Sequence, residues 1–78
     1  MRQSLIAALD GLEQGDWEAA HRVAAGDMSA HGAWLHAHLH RVEGDPGNAA
    51  YWYRRAGRAA FDGPPEAERA ELRAVLSG

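Results

Sequence analysis

Cysteine, threonine and lysine are absent from this chain of 78 residues. Without cysteine there is neither a disulfide framework nor a thiolate metal site, so stability has to come from packing or from association. The missing threonine leaves only Ile6, Val23, Val42 and Val75 as β-branched residues against seventeen alanines, a composition that argues against a sheet. Long apolar runs are also missing. The amino-terminal stretch Leu5-Ile6-Ala7-Ala8-Leu9 is closed by Asp10, whereas a secretory signal needs a longer apolar centre and a membrane span needs about 20 such residues. The expectation is a soluble, cytoplasmic protein that does not enter membranes. All eight basic residues are arginine and the formal charge is −3, which lacks the positive excess that nucleic-acid backbones require. Chains divide into domains only beyond about 250 residues, so residues 1–78 read as a single helical domain.

Glycine, aspartate and proline divide the chain into helices. Leu5, Ile6, Leu9 and Leu12 recur at helical spacing and predict an amphipathic helix from Ser4 to Gln14, ended by Gly15. Asp16 then caps a short helix from Trp17 to Ala25, ended by Gly26. Asp27 or Ser29 starts a third helix that runs to Glu43, with Trp34, Leu35, Leu39 and Val42 as its apolar residues. Asp45-Pro46 is the clearest start signal, because proline at the first helical position has no N–H to leave unpaired. The fourth helix is predicted from Pro46 to Ala60. After the stiff turn Gly63-Pro64-Pro65, a fifth covers Glu66 to Leu76, with Glu66 and Glu68 placed early to suit the helix dipole and Glu66 spaced to pair with Arg69. The fold expected is all-α: four or five short antiparallel helices, arranged as hairpins over 4–25 and 29–60 with a terminal capping helix over 64–76.

An internal repeat supports the two hairpins. Gly15-Asp16-Trp17-Glu18-Ala19-Ala20 aligns with Gly44-Asp45-Pro46-Gly47-Asn48-Ala49 at an offset of 29 residues. In each, glycine opens the turn, aspartate caps the next helix, and alanine lets two helices approach closely. At these residues the chain resembles the tetratricopeptide repeat, through Gly44-Asp45, Ala49, Tyr53 and Ala56, and still more the Sel1-type repeat, through Asp45, Asn48-Ala49, Trp52-Tyr53 and Ala56. The resemblance implies an α-hairpin solenoid unit in which Ala49 and Ala56 pack between helices. It is specific only over 44–56: Val23-Ala24 stands where the first unit should carry a large aromatic, and His36 and His40 occupy places the family fills with apolar and aromatic residues. The run Trp34-Leu35-His36-Ala37-His38-Leu39-His40-Arg41 with Tyr51-Trp52-Tyr53-Arg54-Arg55 also resembles a group of small, uncharacterised bacterial proteins, a likeness that implies no activity.

Two candidate sites follow from the residues. Tyr51, Arg54, Arg55 and Arg58 form a cationic and aromatic face of the fourth helix, suited to a protein or acidic peptide partner, unless these arginines are taken up by Glu43 or Asp62. A domain this short covers only about 60% of its unfolded surface, which favours a homo-oligomer. The function expected is therefore a non-catalytic protein-interaction module without a cofactor. No phosphate loop, nucleophile elbow or paired-carboxylate motif speaks for an enzyme. The alternative is a histidine-based metal-binding protein, taking a transition metal such as zinc. His36 and His40 lie one turn apart and project from the same side of the third helix. His38, about 160° around the helix from His36, cannot join them. The third ligand has to come from His21, Asp16 or Asp27.

Overall fold

Local chemistry sets the helix ends. The computed structural model describes residues 2–78, so Met1 of the expected domain lies outside the described residues. It is all-α: α1 (Arg2–Glu13), α2 (Trp17–Ala25), α3 (Ala30–Glu43), α4 (Pro46–Ala56) and α5 (Pro65–Ser77). Both glycine–aspartate turns form as expected. Gly15 and Gly44 take left-handed φ values of 98° and 89°, and the carboxylates of Asp16 and Asp45 accept the backbone N–H groups of Ala19 at 3.1 Å and Asn48 at 3.2 Å. At the start of α3 the cap is Ser29, whose Oγ accepts from Gly32 N at 3.1 Å. Asp27 buttresses it by accepting the Ser29 hydroxyl at 2.6 Å. Glycine is required at position 32, because a Cβ there would come within 2.5 Å of the Asp27 carbonyl oxygen.

Helix α4 is shorter than the alanine pattern predicts. Gly57 adopts φ 72°, its N–H closes on Arg54 O at 3.0 Å, and Arg58 N closes on Tyr53 O at 3.0 Å. This left-handed cap stops the helix at Ala56 although Ala59 and Ala60 would have continued it.

Helices α1 and α2 pack as one hairpin and α3 and α4 as another; α2 lies against α3, and α5 returns over α1 and α3. Helix α3 is thus covered by three neighbours, and every residue from Gly32 to His40 is buried. Leu5, Leu9, Trp34, Leu35, Leu39, Tyr53, Leu72 and Leu76 form one continuous core, each large apolar side chain contributing about 1.5–3 kcal/mol by leaving water. Ala20, Ala24 and Ala49 are buried at the helix contacts, and Ala56 packs against the same core. Val42, expected among the apolar residues of α3, is 43% exposed in its last turn. Among the described residues no helix is long and apolar enough to cross a membrane.

Candidate functional site

Burial of α3 from Gly32 to His40 gathers its polar residues inside the protein in two clusters. His36 and His40 stand one turn apart with their rings stacked at 4.9 Å. His21 of α2 reaches across to them, its ring 4.7 Å from His36 and 5.3 Å from His40, both edge-on. One ring nitrogen from each of the three lies within 4.8 Å of the others. Of the three candidates His21, Asp16 and Asp27, the structure brings His21 to the His36 and His40 pair. Asp16 is occupied in capping α2, and Asp27 in holding Ser29.

Two indoles wall this cluster. Trp17, one turn before His21 on α2, stacks on that ring at 4.8 Å and donates its Nε1–H to Leu39 O at 2.9 Å. Trp52 of α4 stacks on His36 at 3.9 Å and 12°. His40 Nδ1 lies 2.7 Å from a carboxylate oxygen of Glu43. His36 has no such partner: its Nδ1 is buried and makes no hydrogen bond. Burial first, and then the neighbouring His21 and His40, push the His36 imidazole down to about 4, so at neutral pH it carries no charge and keeps a free lone pair. That is the form of imidazole that coordinates a metal ion.

The second cluster, on the other side of α3, centres on Glu68 of α5. Its carboxylate is fully buried and all four of its lone-pair positions are used. Oε2 accepts Trp34 Nε1–H at 2.9 Å and the Tyr53 hydroxyl; Oε1 accepts His38 Nδ1–H at 2.6 Å and Arg41 Nη1 at 3.0 Å. Arg69 Nη1 sits 3.5 Å from His38 Nε2. A guanidinium has no lone pair, so Nε2 is the acceptor and the proton of His38 is on Nδ1, facing Glu68. Arg41 also donates to the Gly63 carbonyl, which ties the α4–α5 connection to α3. Burial alone would raise the Glu68 carboxyl, but the hydrogen bonds from His38, Tyr53 and Trp34 outweigh it and hold the group down at about 2. Burial and the bond to Glu68 raise the Tyr53 phenol above its ordinary range.

Glu66 and Glu68 lie in the first turn of α5 as the sequence predicts. Glu68 is in addition the charged centre of the interior, and Arg69 turns to Glu13 at 3.7 Å instead of pairing with Glu66. No sequence signal marks the pairing of His38 with Glu68, since the two are thirty residues apart with no motif joining them.

The cationic and aromatic residues divide. Arg55 donates to the Tyr51 hydroxyl at 3.3 Å, and its guanidinium lies 5.9 Å from the Tyr51 ring centre and 5.4 Å from that of Trp52. Arg54 is exposed nearby on the same helix. Arg58 leaves the group: past the end of α4 it no longer follows the helical period, and it lies 3.6 Å over the Trp34 ring and 3.4 Å from Glu71. The arginines thus pair with neither Glu43 nor Asp62. Comparison with known protein families, curated proteins and solved structures found no match.

Proposed function

We propose that this protein binds a first-row transition metal ion through His21, His36 and His40. The observation that carries the reading is the buried, unpartnered Nδ1 of His36 inside a cluster of three imidazoles. An unpaired buried polar atom costs about 1–3 kcal/mol, and a coordinated ion removes that cost. Three neutral nitrogen donors suit zinc, copper(II), nickel or cobalt, whereas calcium and magnesium require oxygen ligands. Ligand nitrogens around a tetrahedral ion stand about 3.3 Å apart, given bonds of about 2.0–2.1 Å, so the rings have to turn inward from their 4.8 Å limit. Three protein ligands leave a fourth position for water or a small ligand. The proposal is of a binding protein and assigns no residue a catalytic role.

Protein purified without a histidine tag should take up one equivalent of zinc in a calorimetric titration, quench or shift the fluorescence of Trp17 and Trp52, and melt at higher temperature as free zinc rises. His36→Ala should abolish all three responses. A wild-type chain that takes up none of zinc, copper, nickel or cobalt overturns the reading.

A second reading, a docking face for an acidic protein segment, is favoured by the guanidinium of Arg55 placed beside both the Tyr51 and Trp52 rings. Here the site is reduced to Tyr51, Arg54 and Arg55. A Glu-rich peptide should bind the wild type in a salt-dependent way and lose affinity to Arg55→Ala; equal binding by the two proteins overturns it.

A further inference from the structure

We infer that Glu43 is the positioning residue of the histidine cluster, an inference that rests on the metal-binding reading. Its carboxylate lies 2.7 Å from His40 Nδ1. A carboxylate only accepts, so the proton of this imidazole belongs on Nδ1 and the lone pair is left on Nε2, the one nitrogen of His40 still available to an ion. The contact spans three residues at the end of α3, so it forms with the helix itself and fixes the ring before any ion arrives.

The surroundings leave Glu43 as the sole anchor of that nitrogen among the described residues. Trp17 meets the His40 ring edge-on at 6.3 Å and makes no hydrogen bond to it. Asp45 also brings an oxygen into the neighbourhood of His40 and Glu43, but its carboxylate is occupied by the first turn of α4, accepting from Asn48 N at 3.2 Å and from Asn48 Nδ2 at 3.4 Å. Glu43 carries no comparable duty. It also supplies a negative charge beside three imidazole donors, which partly offsets the charge of a divalent ion and strengthens His40 as a donor.

The test uses the full, untagged chain with zinc chloride as the probe. Glu43→Ala should weaken zinc binding about 10- to 100-fold, and Glu43→Gln, which keeps an acceptor oxygen but loses the charge, should fall between. Both metal-free variants should melt within a few degrees of the wild type, because the Glu43 side chain is 39% exposed. In metal-free protein the ¹⁵N spectrum of His40 should show the Nδ1–H tautomer in the wild type and a mixture in Glu43→Ala, a change that a merely structural glutamate would not produce. Wild-type His40 protonated on Nε2 alone, or Glu43→Ala binding zinc as tightly as the wild type, overturns the inference and leaves metal binding intact. A wild type that takes up no zinc, copper, nickel or cobalt overturns both.

Discussion

Helix α3 carries two buried polar clusters on opposite sides, and they are built to different standards. Around Glu68 every lone pair of the carboxylate meets a donor, and the one charge is matched by Arg41. Around His36 three imidazoles face one another, and one buried nitrogen of His36 is left without a partner. His36 and His38 are two residues apart on one helix, so neither propensity nor composition explains the contrast. What differs is the element each side meets: α5 brings a carboxylate to His38, whereas α2 brings His36 another imidazole. A carboxylate with every lone pair met holds elements together; a cluster of imidazoles with an unpaired member holds little and is suited to receive something.

That contrast is open to direct attack. The largest effect is expected from Glu68→Ala, which leaves Arg41, His38, Trp34 and Tyr53 without their shared acceptor and should cost about 3–5 kcal/mol in urea denaturation, a large fraction of the stability of an ordinary domain. Acid should reach the two clusters in different windows. Glu68 is depressed from 4.5 to about 2, so its contribution is complete above pH 4.5 and lost as pH falls through about 2, a change on the order of 3 kcal/mol. His36 is depressed from 6.5 to about 4. The unfolded chain therefore takes up its proton first, and the contribution of His36, complete above pH 6.5, is lost as pH falls through about 4. Thermal melts from pH 7 down to pH 2 should show both steps, and His36→Leu should remove only the upper one.

A matched pair sharpens the same point. His38→Leu deletes a donor to a buried carboxylate and should cost about 1–3 kcal/mol, whereas His36→Leu fills a similar buried volume without an unpaired nitrogen and should stay within about 1 kcal/mol of the wild type while losing the zinc response. Equal destabilisation by the two substitutions would erase the distinction between the clusters. The smallest effect belongs to the exposed pairs: Arg73, 2.8 Å from both Asp10 and Glu13, should cost less than about 1 kcal/mol when changed to alanine, and less again in high salt.

Much of this architecture was legible in the residues. Gly15-Asp16 and Gly44-Asp45 announce their turns because a left-handed glycine followed by a capping carboxylate is a local device that needs no distant partner. The His36 and His40 pair was legible for the same reason, since helical periodicity alone puts the two rings on one side. Gly57 does not announce itself as a stop because Ala56 precedes it and Ala59-Ala60 follow Arg58, so the pattern reads as a continuing helix and places Arg58 on it. The first-turn place of Glu68 was legible but its burial was not, because a glutamate in a first turn looks alike whether the helix lies in water or against a core.

Covalent sequence on its own decided which stretches coil, where most of them begin and end, and that the chain would be built from helical hairpins, all of which depend on interactions within a few residues. Tertiary structure alone decided that α5 returns to bury Glu68 against α3, that His21 completes a trio with His36 and His40, and that His38 belongs to a different network. Those outcomes depend on which helix covers which side of α3, and side chains tens of residues apart acquire a common environment only when the helices carrying them pack.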